Sequence, residues 1–279
     1  MYGRRRPVDA LCDKMLLGMN GSAVPEGFTG DPHAGHVVLM YGCDPQPLVR
    51  GVGDYLAEGL ERGESAVVIA TPGHADAFVA RLGTLGARPY AAIADGRLAI
   101  HDAEETLALF MADGQPDWNA FEQSVGTIVS DLRAAAPAGV RAYGEMVGVL
   151  WEAGRYTAAI RLEEFWNTLL RGSGVKLFCA YPIDVCGDSF TPVEVESVMR
   201  THSHLLPSGP RLEAALERAM SDVLGVSATS VRTLAEDVAR PAWAAMPRAE
   251  SLILWLHDNL PAHSGAILAR AREYTQRAA

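Results

Sequence analysis

Apolar positions along this chain follow two rhythms. Short continuous runs appear at "HVVLMYG" (His36–Gly42), "SAVVIATP" (Ser65–Pro72), "GRLAIHDA" (Gly96–Ala103), "VRAYGE" (Val140–Glu145) and "VKLFCAYP" (Val175–Pro182). Between them lie stretches with helical spacing. These are "PLVRGVGDYLAEGLERG", "ADAFVARLGTLG", a segment from about Trp118 to Ala135, and "YTAAIRLEEFWNTLLRG", which stops at Gly172. Short apolar runs alternating with amphipathic helices predict βαβ units. Their continuous apolarity predicts strands buried on both faces of a mostly parallel sheet. Right-handed crossovers then place helices on both faces, so the expected fold is α/β, a three-layer sandwich.

The rhythm changes after "HSHLLPSGP" (His202–Pro210). Nothing from Arg211 onward reads as a strand. Helices are predicted at about Leu212–Leu224, Ser227–Val238, Arg248–Asn259 and His263–Arg277, with breaks at Gly225, Pro241, Pro247 and Pro261. At the other end, a short helix candidate (roughly Val8–Met19) precedes the turn-rich "NGSAVPEGFTGDPHAG". The expected organisation is a helix and linker over 1–33, an α/β domain over 34–208 and an all-α region over 209–279. No internal repeat or low-complexity tract stands out.

Composition narrows the function classes. With 279 residues, 49% hydrophobic and 21% charged, the chain can bury a large core, which excludes wholesale disorder. A net charge of −10 argues against a broad nucleic-acid or anionic-membrane surface. No apolar run approaches the roughly 18 residues of a membrane span. Asp9 and Asp13 interrupt the N-terminal apolar segment, so no signal peptide is expected. Cys12, Cys43, Cys179 and Cys186 form no CxxC pair, and the chain reads as reduced and cytoplasmic.

The candidate chemistry lies where an open parallel sheet binds ligands, beyond the carboxyl ends of its strands. Gly42, Cys43 and Asp44 close the first run, and Thr71, Pro72, Gly73 and His74 the second. His101, Asp102 and Glu104 follow the third, Gly144 and Glu145 the fourth, and Tyr181 and Pro182 end the fifth. The first turn, "YGCDPQPLVRGVGDYL", has no Lys and no Ser or Thr for magnesium, and it carries two prolines where backbone N–H groups would cradle phosphate. No GxSxG and no HExxH occurs. His202 and His204 of "THSH" would share a face in a strand. A metal site joining them to His101 or Glu145 is a less favoured alternative to solvated or core histidines. His36 begins the first strand, about 20 Å from its carboxyl edge at roughly 3.3 Å per residue, and is not expected to share a site with Glu145. In the later helix, Ala159, Leu162, Trp166 and Leu170 mark an apolar stripe, and Glu163 falls on it. Glu163 therefore either rides at the stripe's edge or meets a buried partner such as Arg141, Arg161 or a ligand. Glu164 beside it is expected to be wetter. Trp151 and Trp166 supply aromatic surface that suits a pocket or a core.

Taken in order, "HVVLMYG", "GESAVVIATPGHADAFVARL", "GRLAIHDAEETLALFM", "VRAYGEMVGVLWEAGRYTAAIRLEEFWNTLL", "LFCAYP" and "THSHLLP" resemble the MEDS domain, the methanogen/methylotroph DcmR sensory domain, over about His33 to Pro207. The resemblance implies a RecA/KaiC-like α/β fold without a functional P-loop. It also implies sensing of small molecules, hydrocarbon derivatives in the founding cases, in bacterial and archaeal signalling. By this resemblance His36, Tyr41, Glu145, Met146, Trp151, Glu163, Trp166, Asn167, Cys179 and Tyr181 fall on motif positions. Relatives often append a DNA-binding, kinase-type or anti-sigma ATPase module. The tail here is too short for a kinase ATPase domain and lacks its glycine-rich boxes. "MSDVLGVSATSVRTLAEDV" has Ser221, Gly225 and Val231 at a spacing that resembles a helix-turn-helix. Its second helix offers only Arg232 and then Arg240, with Glu236 and Asp237 between, a poor set for reading bases.

The expected function is a non-catalytic sensory or regulatory protein that binds a small, apolar or hydrocarbon-derived ligand and signals through its helical tail, by a protein partner or self-association. The expected ligand-binding set is Tyr41, Asp44, His101, Asp102, Glu145, Met146, Trp151, Glu163, Trp166 and Tyr181. No metal set or cofactor is assigned, and neither DNA nor a membrane is an expected partner. The alternatives are a degenerate nucleotide-binding regulator, a transcriptional regulator with a weak helix-turn-helix at about 217–238, an enzyme with Glu145 as general base beside His101 or His74, and a purely structural interaction module.

Overall fold

A computed structural model of the chain describes residues 35–42, 44–187, 190, 192–209, 211–238 and 246–277. The Val8–Met19 helix candidate, Cys12, Cys43 and the break at Pro241 lie outside the described residues. The strands are β1 (His36–Met40), β2 (Ser65–Ala70), β3 (Leu98–Asp102), β6 (Val140–Gly144), β7 (Val175–Tyr181) and β8 (His204–Leu206), with a small hairpin of β4 (Met111–Ala112) and β5 (Gln115–Pro116). The large sheet has the order β3-β2-β6-β7-β1-β8, and every neighbouring pair in it is parallel. The hairpin was not anticipated from periodicity. Its turn is Asp113–Gly114 with φ of 50° and 80°, the left-handed pair that a two-residue hairpin turn requires.

Period-2 alternation in the strands sorts the core onto two faces. Leu39, Val68, Tyr143, Phe178 and Ala180 point to one, which α1 (Gln46–Glu61), α2 (Pro72–Thr84) and α3 (Pro89–Ala94) cover. Val38, Met40, Ile69, Ala142, Leu177, Cys179 and Tyr181 point to the other. That second face packs against α4 (Ala103–Ala108), α7 (Met146–Glu152), α8 (Tyr156–Leu170), and the helix made of α5 (Trp118–Phe121), a π-helical turn (Glu122–Gly126) and α6 (Thr127–Ala135). The result is the expected α/β sandwich. α7 lies so close to β7 that a Cβ on Gly148 would stand 2.9 Å from the Ala180 carbonyl oxygen.

Among the described residues, four helices follow α9 (Pro192–Met199) and β8: α10 (Leu212–Leu224), α11 (Ala228–Asp237), α12 (Arg248–Asn259) and α13 (Pro261–Arg277). α10 ends where Gly225 turns left-handed at φ 66°, a C-terminal stop that glycine adopts without strain. The buried faces of these helices (Leu216, Met220, Leu252, Ile253 and Ile267) belong to the same apolar cluster as Val185, Phe190, Val195 and Val198 of the α/β layer. The core is thus continuous from the sheet into the tail. The Ser208 N–H donates to the buried Glu250 carboxylate at 2.8 Å, and Arg272 pairs with Asp184 at 2.6 Å.

A buried ion network lies at the opposite end of the sheet from the crevice. Arg141 in β6 donates to Glu64, to Glu58 at 2.9 Å and to the Tyr55 carbonyl at 2.7 Å, and Lys176 donates to Glu64 at 2.9 Å. Arg141 also lies over the Tyr55 ring, 4.9 Å from its centroid. Arg141 and Lys176 hold the Glu64 carboxyl below its ordinary range, although burial alone would raise it.

Candidate functional site

Three strand ends build the rim: β1 runs into Tyr41, β2 into Thr71 and β6 into Glu145. The register Ile69↔Gly144 sets the ends of β2 and β6 level, and the Glu145 N–H still donates to the Ile69 carbonyl at 2.9 Å. This tie turns the Glu145 side chain onto the neighbouring loop. One carboxylate oxygen accepts the Thr71 N–H at 2.8 Å, and the other lies 2.5 Å from His74 Nδ1. The Thr71 hydroxyl stands 3.3 Å from both oxygens. Thr71 immediately precedes α2, so the carboxylate satisfies an N–H that the helix leaves unpaired and sits at the positive end of its dipole.

Glu145 is only 4% exposed, whereas the His74 side chain is 22% exposed, so the imidazole is the part of the pair that meets solvent. Its hydrogen bond to Glu145 draws the His74 pKa up from its ordinary value, against the opposing effect of burial. Tyr41 meets His74 edge-on at 6.1 Å, and His74 stacks on Phe78 at 6.0 Å. Burial, and then the nearby Glu145 charge, keep the Tyr41 phenol protonated far above its ordinary range. The rim therefore offers a carboxylate, an imidazole that takes up a proton readily, and a neutral phenol.

The aromatic and thioether residues expected near this rim stand behind it as packed core. Met146, Trp166 and Tyr181 are at most 1% exposed and Trp151 is 9% exposed. Trp166 underlies the strand end, since a Cβ on Gly144 would meet its ring at 3.6 Å. Trp151 meets Tyr181 edge-on at 5.2 Å. Asp44 accepts the Gln46 N–H at 2.9 Å, so its own carboxylate occupies the loop that opens α1. Asp102 caps α4 by accepting the Glu105 N–H at 2.8 Å. His101 lies on β3 opposite Ile69, and burial lowers its pKa.

Glu163 takes the buried alternative, with protein partners other than the two arginines considered. It is 0% exposed, so it does not ride at the edge of its stripe, and its partners are neither Arg141 nor Arg161. Arg141 serves the Glu58–Glu64 network, and Arg161 lies over the Phe165 ring at 5.7 Å. Glu163 accepts from the Tyr181 hydroxyl at 2.8 Å and faces His36, His202 and Cys179. Burial would raise its pKa, but His202 and then His36 pull it down and keep the carboxylate ionised. Tyr181 is thereby engaged with Glu163 in the interior. Glu164, one position on, is exposed.

The family model for the MEthanogen/methylotroph, DcmR Sensory domain matches residues 35–203. The chain belongs to the MEDS family. Comparison with curated proteins finds no match. The MEDS region runs from the start of β1 to the residue before β8, and it contains both the Glu145–Thr71–His74 cluster and the Glu163 cluster. It is a sensory domain by description, which gives the chain a sensory or regulatory role in that coarse sense.

Neither Thr71 nor His74 entered the expected ligand set, although both stood among the strand-end residues. Their signal was position at the end of β2, which says nothing of which side chain will meet Glu145. His36, Asn167 and Cys179 fell on motif positions, and His202 lay in "THSH". Nothing in linear spacing brings residues 36, 163, 179 and 202 to one point. That takes the β1–β7 pairing of Val38 with Cys179 and the packing of α8 across it.

Proposed function

We propose that this chain is a regulator whose MEDS domain receives a small ligand at the carboxyl end of the sheet, against His74, Glu145 and Tyr41, and passes the event to the C-terminal helices. The supporting observation is the Glu145–His74 pair. A carboxylate this buried fixes the imidazole at 2.5 Å and leaves it partly open to solvent. Such a rim over an apolar interior suits a mostly apolar molecule with one polar group. The nucleotide alternative has less support, because the first strand–helix turn lacks phosphate-binding residues and holds the Asp44 carboxylate against the Gln46 N–H. Transmission has a physical route. Gly42 approaches Asp184 so closely that a Cβ there would lie 3.3 Å from the Asp184 side chain, and Asp184 pairs with Arg272 of α13. A ligand that shifts the β1 exit loop would act on this contact if it binds the two tail arrangements unequally.

The same pair favours one second reading, an enzyme in which Glu145 orients His74 as a general base. Both readings are tested on the full chain. A small-molecule thermal-shift screen is run on the wild type and on Glu145→Gln, and each hit is followed for turnover by mass spectrometry. Sensing predicts a stabilising compound that returns unchanged and binds more weakly to Glu145→Gln. Chemical conversion by the wild type, lost in the variant, would favour catalysis. A folded wild type that no compound stabilises would refute both.

A further inference from the structure

Two histidines, a glutamate and a cysteine converge in the interior of the second sheet face, away from the rim. One ligating atom from each of His36, Glu163, Cys179 and His202 lies within 4.8 Å of the others, and all four residues are buried. Three elements and a loop bring them together: His36 from β1, Cys179 from β7, Glu163 from α8, and His202 from the turn before β8.

The hydrogen bonds on the outer sides of both rings fix their tautomers. His202 Nδ1 lies 2.7 Å from the Val198 carbonyl, which only accepts, so Nδ1 carries a proton. His36 Nδ1 lies 3.0 Å from the Asn167 side-chain oxygen. The Asn167 amide is oriented by its own N–H donation to the Thr201 carbonyl at 2.7 Å, so this His36 nitrogen also carries a proton. In the neutral rings, both Nε2 atoms then present lone pairs to the Glu163 carboxylate, each at 3.2 Å. With both rings neutral, two lone pairs face the buried carboxylate, an arrangement that a shared cation or a proton on one ring completes. His202 Nε2 is fully buried, and Glu163 at 3.2 Å, outside good hydrogen-bond geometry, is the polar group it faces. The Cys179 sulfur completes the group, 3.3 Å from His36 Nε2 and 3.6 Å from Glu163.

Four of the six separations, from 3.2 to 3.6 Å, are close to the edges of a coordination tetrahedron, and the whole set lies within 4.8 Å. Bonds of about 2.0–2.3 Å from a zinc-type ion to N, O and S give ligand–ligand edges of roughly 3.3–3.7 Å. The outer hydrogen bonds to Asn167 and Val198 are of the kind that orient metal-bound imidazoles. We propose that His36, Glu163, Cys179 and His202 bind one divalent ion of borderline softness, of the zinc class, as a closed four-ligand site inside the MEDS domain. Imidazole with thiolate favours such an ion over magnesium or calcium, which prefer all-oxygen shells. Binding releases the Cys179 thiol proton to solvent, because a coordinating thiol is deprotonated. The site is separate from the proposed ligand rim and does not depend on that reading.

The test uses the full chain, stripped by a chelator and titrated with cobalt(II) as a spectroscopic stand-in for zinc. The expected result is saturation at one equivalent, visible bands of a tetrahedral ion, a near-ultraviolet thiolate-to-cobalt band, and bleaching on addition of zinc. Cys179→Ser should lose the thiolate band and keep the visible bands. Asn167→Ala, which only positions His36, should weaken binding about 10- to 100-fold with the thiolate band intact. A folded wild type without saturable cobalt absorption overturns the proposal, and a proton on His202 would then account for the cluster. A thiolate band that survives in Cys179→Ser overturns it as well, since another cysteine would be the ligand. Should Cys179→Ser not fold, zinc K-edge absorption of the wild type decides, with one sulfur in the first shell supporting the site and none overturning it.

Discussion

Replacing Glu145 by Gln changes the charge of the rim while nearly preserving its shape. The amide oxygen can still accept the Thr71 N–H, now 2.8 Å from the carboxylate, and the amide nitrogen then faces His74 Nδ1 at the present 2.5 Å contact. His74 must carry its proton on Nε2 and accept through Nδ1. The bond count survives, and what is lost is the difference between a charge-assisted and a neutral hydrogen bond, about 1–1.5 kcal/mol. Because the imidazole is 22% exposed, solvent screening reduces this to about 1 kcal/mol. In a chain of this size that is about 2–4 °C of melting temperature. The pH dependence carries the sharper signature. The His74 pKa is raised above its ordinary 6.5 in the folded state. The stabilisation it contributes is therefore complete below that value and disappears as pH climbs through the folded value. Wild type should exceed Glu145→Gln in stability most at about pH 6 and least at about pH 9. In the variant the Glu145 hydrogen bond and charge are gone, leaving burial opposed by the Glu152 charge, so the His74 titration should move down from its wild-type position. Urea unfolding at both pH values and an NMR titration of the histidine ring protons, with His74 assigned by His74→Gln, measure this. An unchanged His74 midpoint together with a pH-independent stability difference would refute the coupling.

Arg141→Met leaves Glu64 buried beside Lys176 alone, so we expect a loss of about 3 kcal/mol in denaturant unfolding. Arg141→Lys, which keeps the charge but not the fork, should recover only part of it. Gly148→Ala drives a Cβ to 2.9 Å from the Ala180 carbonyl oxygen; α7 must lift from β7, at a cost of about 1–3 kcal/mol read as a lower melting temperature. Glu250 accepts from Ser208 in a buried setting that raises its pKa. Its favourable contribution is present below the unfolded value and fades as pH rises through the folded one, so Glu250→Gln should be at least as stable as wild type at about pH 8 and show a flatter acid-to-neutral profile by calorimetry.

Periodicity alone determined much of this protein. The apolar runs at 36–42, 65–72, 96–103, 140–145 and 175–182 became parallel strands because a run that is apolar throughout can bury both its faces only inside a covered sheet. The tail helices were legible down to the Gly225 stop because capping and helical spacing are local signals. β8 escaped notice because three residues carry too little pattern and owe their strand form to pairing with Val37–Leu39. The π-helical turn at Glu122–Gly126 escaped for a similar reason, since its apolar spacing reads as ordinary helix. The candidate sites divide in the same way. Glu145 at a strand end was visible from the sequence, as strand order fixes the ligand edge of a parallel sheet. Which neighbours it meets was decided only by the β2–β6 register, which selects Thr71 and His74 over His101. Glu163 announced itself as a carboxylate on an apolar stripe. Only the packing of α8 over β1 and β7 joined it to His36, Cys179 and His202, because the burial of a charge shows in one segment and its compensating partners come from wherever the chain returns.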